Sequence, residues 1–477
     1  MAFAMKCSRT PPLLCRLLLP QLLQALQQRR ALLPLLWSEA QLANTVSPLA
    51  VARRRSELGL VLLAAFITGA AYVLASLGKN ASLPARIGPF LVSLLVLLVC
   101  AHIGVRKFAT GASPLLLPLA TLLHGIGYVM IARLSDRLAG LQATWSLIAV
   151  ACFIAVLVAL PRVADLLRYQ YTFLFVGVFL QLLPLVPGVG FSSGGARIWV
   201  SIGPINFQPG EFAKLCLAIF FAGYLSEQRE VLSSGGKRIA GVQLPEMRTF
   251  LPVMLAWGVS VVVMVAEKDL GSSLLFFTLF VVLLWVATER SGYIVFGGGL
   301  FMLGAFIAYN MFGHVRDRFS IWLDPWSQYN GKGYQIVQGM FGFAEGGISG
   351  TGLGLGDPTR IPAVKNDFIF AAIGEELGLF GATAVLAAFV FIIGSGLRTA
   401  IRTDNAFEKL LAVGLTTILG VQAFIILAGV LRVLPLTGVT LPFMSYGGSS
   451  LVSNYMLLAL LIAISHSSAR RLHEVPQ

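Results

Sequence analysis

The most constraining feature of the sequence is a recurrence of apolar runs long enough to cross a lipid bilayer. A helix rises about 1.5 Å per residue, so about 20 apolar residues span a hydrocarbon core of roughly 30 Å. With their flanks, the runs at 58–77, 90–100, 115–131, 274–286 and 411–430 reach this length. The sequence therefore predicts an all-α polytopic membrane protein.

The composition of the chain also lies outside the range of soluble proteins. Of its 477 residues, 57% are hydrophobic and 12% are charged, whereas soluble domains are about 45–50% apolar and about 25% charged. The net charge of +14 comes from Lys and Arg residues spread through short segments, which favours contact with anionic lipid over binding of nucleic acid. The five cysteines form no C-x-x-C pair, and the five histidines have no metal-ligand spacing. We therefore expect neither disulfides nor a metal cluster.

The hydropathy pattern predicts twelve helices in one membrane domain over 56–470. Residues 1–55 are predicted to be a disordered or peripheral extension, because Pro20, Arg29 and Arg30 interrupt their apolar run, and 471–477 to be a cytoplasmic tail. The predicted helices are 57–78, 87–105, 114–133, 143–160, 170–188, 211–226, 249–266, 270–287, 292–312, 378–397, 407–430 and 449–467.

Basic residues orient these helices. With a cytoplasmic N-terminus, most Lys and Arg residues lie inside and the short outer loops carry only about six. The C-terminus is then also cytoplasmic, and the longest non-apolar stretch, 313–377, lies outside. Its tryptophans and tyrosines argue for an ordered loop at the membrane interface. The inner basic residues in this topology are Arg53, Arg54, Arg55, Arg106, Lys107, Arg162, Arg168, Arg229, Lys237, Arg238, Arg248, Arg290, Arg398, Arg402, Arg470 and Arg471.

Four polar clusters interrupt the apolar background, at 194–214, 267–273, 313–377 and 434–454. In the predicted topology all four lie on the outer side of the membrane. Ionisable groups in or beside membrane helices are costly, so their convergence predicts a functional site. The inner half of the predicted helices carries few polar groups.

The charged residues of these clusters also have structural interpretations. Glu211 and Lys214 stand three residues apart on a predicted helix, so they could simply neutralise each other as the helix enters lipid. Arg197 and Trp199 could be interfacial anchors. Asp269 precedes a helix and could cap it, because a carboxylate suits the positive end of the helix dipole.

Asp367 admits the same capping interpretation, because it precedes a predicted helical run over 368–377. Its position between a lysine and three apolar residues could instead raise the pKa of the carboxylate towards that of a base. The nearby stretch 346–356, GGISGTGLGLG, lacks both the GK[ST] ending of a phosphate-binding loop and a preceding strand. We interpret it as turns in which backbones approach closely.

Taken together, four motifs resemble those of the SEDS family (shape, elongation, division and sporulation), typified by RodA and FtsW. They stand in the expected order over 57–467. The resemblance implies a ten-helix core, to which this chain adds two helices, similar to actinobacterial members. Other departures are Gly210, where the family motif QPSEFAK has serine, and Gln422, where many members carry Asn. The motifs are GGARIWVSIGPINFQPGEFAK, EKDLGSS, GTGLGLGDPTRIPAVKNDFIFAAIGEELGLFG and LPLTGVTLPFMSYGGSSLVSN.

The resemblance implies a peptidoglycan glycosyltransferase that polymerises lipid II on the outer face of the bacterial cytoplasmic membrane, with a class B penicillin-binding protein as transpeptidase partner. The acceptor's GlcNAc 4-hydroxyl would attack the anomeric carbon of the donor with inversion, expelling undecaprenyl diphosphate. Asp367 matches the essential aspartate of the DFIFA motif and would be the base. Lys365, Arg360, Arg197 and Lys214 could bind the diphosphate.

We expect no required cofactor, although a divalent cation, Mg²⁺ or Mn²⁺, could share the work of binding the diphosphate. Two other functions fit a polytopic chain: a lipid II flippase, which would need polar groups through the inner half as well, and a non-catalytic scaffold, which would leave Asp367 unexplained. The predicted substrate-binding residues are Arg197, Trp199, Glu211, Lys214, Asp269, Arg360, Lys365, Ser445, Tyr446, Gly447, Gly448 and Ser449.

Overall fold

Helices dominate the described part of the chain in the computed structural model. Residues Arg54–Gln477 form one compact unit, and the preceding unit, Met1–Arg53, is described only from Pro48, where the first helix begins. The predicted extension therefore lies almost wholly outside the described residues. The structure describes 48–83, 87–193, 195–203, 205–233, 238–239, 242–243 and 247–474.

Within the described residues, strands occur only in the middle of the chain, as a three-stranded and a two-stranded sheet. In chain order the helices are α1 Pro48–Asn80, α2 Ile87–Phe108, α3 Leu116–Leu134, α4 Asp136–Ala159, α5 Gln170–Leu182, α6 Gly210–Glu227, α7 Arg229–Ser233, α8 Met247–Ala266, α9 Leu270–Thr288, α10 Gly292–Met311, α11 Gly313–Leu323, α12 Tyr334–Gly346, α13 Ile369–Arg402, α14 Ala406–Val430 and α15 Gly448–Glu474. The strands are β1 Gly190–Ser193, β2 Ala196–Ile202, β3 Ile205–Phe207, β4 Arg238–Ile239 and β5 Val242–Gln243.

Ten helical segments within the described residues are long and apolar enough to cross a membrane, judged by length and composition. Many of their large apolar side chains point outward, for example Phe66, Phe175 and Val295, which are 74–75% exposed. Such a surface is compatible with hydrocarbon and costly in water. The helical membrane fold is therefore confirmed.

The predicted count of twelve spans is not confirmed. The two remaining helices of the prediction, α6 and α8, form where the sequence places them. However, α6 carries the charged residues Glu211, Lys214 and Glu227, and the described apolar part of α8 is only Leu251–Ala266. The helices α14 and α15 are mostly buried, whereas α10 is almost entirely exposed. The core thus lies around α14 and α15, which pack against α6, α13 and α4.

A three-stranded antiparallel sheet, with strand order β1–β2–β3, lies between α5 and α6 and was not predicted from the sequence. The helix predicted over 170–188 ends at Leu182, followed by a short 3-10 turn. Trp199 pairs with Phe191 across β1 and β2, and Ser201 pairs with Asn206 across β2 and β3. Alternating β-branched and polar residues in ARIWVSI favour a strand, but seven residues are too few to stand out beside helices of bilayer length.

The segment 313–377 is largely helical rather than an irregular loop. It contains α11, α12 and the first part of α13, and the side of the membrane that it faces stays a prediction. The predicted helical run 368–377 and the helix predicted at 378–397 are the two parts of α13, which meet at a kink at Gly378. The glycines of 346–356 form turns of positive φ with close backbone approach, which confirms the interpretation of that stretch.

The kink in α13 should depend on glycine. Gly378 has φ 64° and ψ −162°, and a Cβ there would lie 2.3 Å from the backbone N of Gly350. We expect Gly378→Ala to lower the free energy of unfolding by about 1–3 kcal/mol from backbone strain alone. Thermal unfolding in detergent measures this change. Gly394→Ala is the matched control, because a Cβ at that α13 position meets nothing within 4 Å; equal melting temperatures for both variants would contradict the assignment.

Candidate active site

A buried ion pair lies at the centre of the helix bundle. Lys214 Nζ lies 2.5 Å from Glu211 Oε2, and both side chains are nearly inaccessible. Lys214 also donates to Gln422 Oε1 at 2.8 Å, and Ser453 Oγ donates to Glu211 Oε2 at 2.9 Å. The predicted Glu211–Lys214 pairing is therefore confirmed, and partners from α14 and α15 complete it.

Gln422 connects this pair to the polar motif of 434–454. Its Nε2 donates to the backbone oxygen of Thr440 at 3.0 Å, and Thr440 Oγ1 donates to Ser450 Oγ at 2.9 Å. Ser449 Oγ accepts a hydrogen bond from the backbone N–H of Gln208 at 3.0 Å, just before α6. The amide at 422 thus bridges a buried cation and a backbone carbonyl, which gives the departure from Asn a definite structural role.

The same motif holds the residues that precede Asp367. The backbone N–H of Tyr446 donates to the carbonyl of Lys365 at 2.8 Å, and Ser445 Oγ donates to the carbonyl of Asn366. Gly447 and Gly448 follow at the start of α15, and a Cβ on Gly448 would overlap the ring of Trp145. Three predicted substrate-binding residues, Lys365, Ser445 and Tyr446, are therefore brought together around the backbone beside Asp367.

Asp367 itself does not cap a helix. The N-cap residue of α13 is Phe368, which makes no side-chain capping hydrogen bond, so the capping interpretation of Asp367 is wrong. Burial raises the pKa of the half-buried Asp367 carboxyl to about 6, against the lowering effects of its own backbone N–H, of Arg318 and of a hydrogen bond from Gln335. A carboxylate of this pKa can both hold and release a proton near neutral pH.

Arg318 on α11 is the site residue that the sequence analysis missed. Its guanidinium donates to the carbonyl of Leu436 at 2.9 Å and interacts electrostatically with both Asp269 and Asp367. Burial lowers the pKa of Arg318, while the two carboxylates raise it, and an arginine remains cationic under such shifts. Only its place in a polar segment between the EKDLGSS and DFIFA motifs could have singled it out.

Asp269 has the structural role that capping predicted. It is the N-cap of α9, where Oδ1 accepts from the backbone N–H of Ser272 at 3.0 Å and Oδ2 accepts from Ser272 Oγ at 2.6 Å. Burial raises the pKa of Asp269, partly offset by Ser272 and Arg318. Its neighbour Glu267 is buried, which raises the pKa of that carboxyl to about 8, with the charge of Asp269 adding to the shift.

The remaining predicted residues are distributed differently. Arg197 and Trp199 lie on β2, where Arg197 donates from its guanidinium to two backbone carbonyls of the preceding turn and from its backbone N–H to Glu267 O at 2.9 Å. Arg360 is mostly exposed and paired with Asp357, with Nε 2.8 Å from Oδ2. The structure therefore places β2 beside the Asp269 turn and gives Arg360 no contact with the other predicted site residues.

The described side chains offer no ready metal centre. Among the described residues, no group of three or more His, Cys, Asp and Glu could hold a metal ion. Asp269 and Asp367 instead share the positive charge of Arg318. Mg²⁺ can be held by one or two carboxylates together with substrate phosphates, so a cation here would depend on the substrate for most of its ligands.

An apolar cavity of about 810 Å³ borders the helical part of α13 that follows Asp367. Phe370 and Gly374 line it from α13, Met340 and Phe343 from α12, and its rim carries Arg432. Such a lining accommodates hydrocarbon but gives little orientation to sugars.

Together, the membrane-spanning helices, the buried ion pair and a carboxylate poised to exchange a proton define a class of protein: a membrane-embedded enzyme whose polar centre is assembled from several helices. More particularly, the chain belongs to the FtsW/RodA/SpoVE family of cell cycle proteins, whose family model matches residues 113–470. The resemblance to the SEDS family is thereby confirmed. Both α1 and α2 precede the matched region.

Individual relatives agree with this assignment. The chain is 45% identical over 443 residues to the peptidoglycan glycosyltransferase RodA of Mycobacterium tuberculosis, covering 91% of this chain and 94% of that one. It is 43% identical over 450 residues to RodA of Mycobacterium leprae, with 92% and 96% covered. Stage V sporulation protein E of Bacillus subtilis is 33% identical over 293 residues, which are 61% of this chain and 77% of that one.

Solved structures share the fold. A chain of a peptidoglycan synthase complex that coordinates polymerization and crosslinking superposes with a TM-score of 0.61 at 25% identity, covering 74% of this chain and 97% of that one. A mutant of the Thermus thermophilus rod shape determining protein RodA gives a TM-score of 0.53 at 24% identity, with 73% and 96% covered. The shared region is a similar fraction of the chain to that matched by the family model.

The Glu211–Lys214 pair should behave as one unit. Removing one partner leaves a buried charge unpaired, so Glu211→Gln or Lys214→Met should each lower the free energy of unfolding by about 3–5 kcal/mol, and the double variant by less than their sum. Chemical unfolding in a fixed detergent measures all three. The exposed pair Lys332–Asp317 provides the control, since Lys332→Met should change stability far less. Additive losses at 211 and 214 would show that the two charges act separately.

Proposed function

We propose that the chain is a peptidoglycan glycosyltransferase that polymerises lipid II on the outer face of the bacterial cytoplasmic membrane, with Asp367 as its base. One observation carries the proposal: Asp367 is a half-buried carboxyl with a pKa of about 6 that caps no helix, beside a backbone held by the 434–454 motif. The names of the RodA relatives support the activity.

The proposed reaction is a single displacement. The 4-hydroxyl oxygen of the acceptor GlcNAc attacks the anomeric carbon of the lipid-linked donor, while the bond from that carbon to the diphosphate oxygen breaks and the configuration inverts. Asp367 takes the hydroxyl proton as the new bond forms, and undecaprenyl diphosphate leaves with the bonding electrons. The base must be ionised before attack, which a pKa of about 6 allows at neutral pH.

The departing diphosphate requires positive charge, which is most effective where water is excluded. Arg318 is placed for this role because it interacts with both Asp269 and Asp367 and is anchored on Leu436 O. Lys365 precedes Asp367 by two residues and is half-buried. Lys214 is paired with Glu211 and hydrogen-bonded to Gln422, so it would stabilise the helices that carry the site rather than bind substrate. A divalent cation would supplement these side chains through the diphosphate oxygens.

We also propose that the chain works with a class B penicillin-binding protein that crosslinks the new glycan, and that both of its termini are cytoplasmic. The peptidoglycan synthase complex among the similar structures, in which polymerization and crosslinking are coordinated, supports such a partner. The distribution of basic residues supports the orientation.

Asp367→Asn should abolish glycan synthesis, because an amide cannot accept the hydroxyl proton. In the wild type, protonation of Asp367 removes the base, so kcat/KM should fall roughly tenfold per pH unit below about pH 6.

Arg318→Gln removes a positive charge that lowers the pKa of Asp367. In this variant the fall of kcat/KM on the acidic side should therefore begin at a higher pH. Polymerisation of purified lipid II, with and without the partner, measures these profiles.

The matched control for this assay is Asp324→Asn. Asp324 is an exposed acid of the same segment that accepts from the backbone N–H of Trp326 at 3.1 Å, and an amide oxygen can still accept there. This variant should retain wild-type rates. Equal activity of Asp367→Asn and wild type would remove Asp367 from the mechanism. Absence of synthesis by folded wild type, with and without the partner, would favour lipid II transport or scaffolding.

The orientation is tested by cysteine labelling in a background whose native cysteines are replaced by alanine. Ser327→Cys, exposed between α11 and α12, should react with a membrane-impermeant maleimide in intact cells. Asp165→Cys, exposed between α4 and α5, should react only after permeabilisation. The reverse pattern would invert the proposed topology and place Asp367 on the cytoplasmic side.

A further inference from the structure

The helices α1 and α2 precede the region matched by the family model, yet the outer end of α1 lies directly against the glycine turns of 346–356. A Cβ on Gly78 would lie 2.2 Å from the backbone oxygen of Leu353. A Cβ on Gly354 would lie 2.2 Å from the oxygen of Ala75 and 2.8 Å from the backbone N of Lys79, and Gly354 has φ +81°. The two backbones touch only because glycine stands on each side.

A buried ion pair closes the same junction. Lys79 Nζ donates to the backbone oxygen of Arg133 at 2.9 Å, at the end of α3. The Arg133 guanidinium donates to the carboxylate of Glu376 and to the carbonyl of Gly356. Glu376 Oε2 also accepts from the backbone N–H of Gly354 at 3.1 Å. Arg133 thus links the end of α1 to the Glu376 carboxylate, which is fully buried and also binds the glycine turns.

Glu376 belongs to the helical part of α13 that begins two residues after Asp367. The backbone N–H groups of Thr351 and Gly352 donate to the carbonyls of Glu375 and Glu376 at 2.9 and 3.0 Å, and that of Asp357 donates to Glu375 Oε1 at 2.5 Å. Nine residues of helix correspond to roughly 14 Å. This short helix ends at the Gly378 kink, and the hydrogen bonds to Glu375 and Glu376 fasten its last turn to the glycine turns.

The inner end of the α1–α2 hairpin is also fastened. Glu57 on α1 is fully buried and pairs with Arg106 and with His102 Nδ1, the latter at 2.9 Å, both on α2. The two helices are therefore held together by charge at one end of the hairpin, and at the other end α1 packs against the glycine turns. A rigid pair of helices of this kind can transmit constraint across the bilayer to the turns.

We propose that the α1–α2 hairpin is a positioning element for the proposed base, acting through Gly78 and Lys79 on the glycine turns and through Glu375 and Glu376 on the short helix that follows Asp367. This inference rests on the proposed function, because Asp367 is the base there. Gly78 and Lys79 touch no substrate in this scheme; they keep the carboxylate within reach of the acceptor hydroxyl, where a displacement of about 1 Å can cost about a hundredfold in rate.

The test uses the full-length purified chain with Gly78→Ala and Lys79→Met, assayed for lipid II polymerisation. Both variants should lose at least tenfold in kcat with KM within twofold of wild type, because the base is displaced while the substrate contacts remain. Lys79→Arg retains a donor and should recover most of the rate. Gly59→Ala is the matched control on the same helix, since a Cβ there meets nothing within 4 Å, and it should behave as wild type.

A second measurement does not depend on activity. Hydrogen–deuterium exchange of 351–357 and 367–377 should be at least tenfold faster in Gly78→Ala and Lys79→Met than in wild type or Gly59→Ala, with unchanged exchange in α14 as evidence of folding. Unchanged exchange in both segments would overturn the proposal, as would a rise in KM at constant kcat. If the wild type proved inactive in lipid II polymerisation but the two variants still exchanged faster than the wild type, the coupling would be supported and the proposed function contradicted. The two failures are therefore distinguishable.

Discussion

Compensation of buried charge is the constraint on which the rest of this structure depends. Glu211 and Lys214 lie inside the bundle, where an uncompensated charge costs several kcal/mol. Further hydrogen bonds join Lys214 to Gln422 and Glu211 to Ser453, so α6, α14 and α15 must meet in one register. Through the carbonyl of Thr440 the same network holds the motif of 434–454, and that motif in turn holds the backbone beside Asp367. We therefore interpret the Glu211–Lys214 pair and its partners as a structural network rather than as a surface that binds substrate.

Three acidic side chains near this centre have different roles because their surroundings differ. Glu211 is neutralised by a lysine, and Asp269 spends its oxygens on the first turn of α9. Asp367 has neither a lysine partner nor a helix to cap, and burial raises the pKa of its carboxyl to about 6, so it is mostly ionised at neutral pH yet can take up a proton. Of these three acids, Asp367 has no ion-pair or capping role, which supports its proposed role as the base, and the difference among them follows from packing rather than from residue type.

Much of this arrangement could be predicted from the sequence, and the omissions have a common cause. Apolar runs of bilayer length located the helices, and the spacing of Glu211 and Lys214 predicted their pairing because helical periodicity is local information. Arg318 and the Arg133–Glu376 pair were missed, since their partners lie tens to hundreds of residues away and no local pattern marks them. The small sheet was missed because its strands are short. Asp367 was located by motif, but only the backbone showed that it does not cap α13.

The glycine turns that hold the short helix after Asp367 have a consequence for mutational tolerance. At Gly346, Gly350, Gly354 and Gly378 a Cβ would lie 2.0–2.3 Å from backbone atoms of a neighbouring segment. Any amino-acid replacement at these positions introduces that carbon, so conservative and polar substitutions alike would clash with the neighbouring backbone. A small molecule that recognised the backbone of these turns would therefore meet a surface with few viable routes to resistance by substitution, unlike a pocket formed by interchangeable side chains.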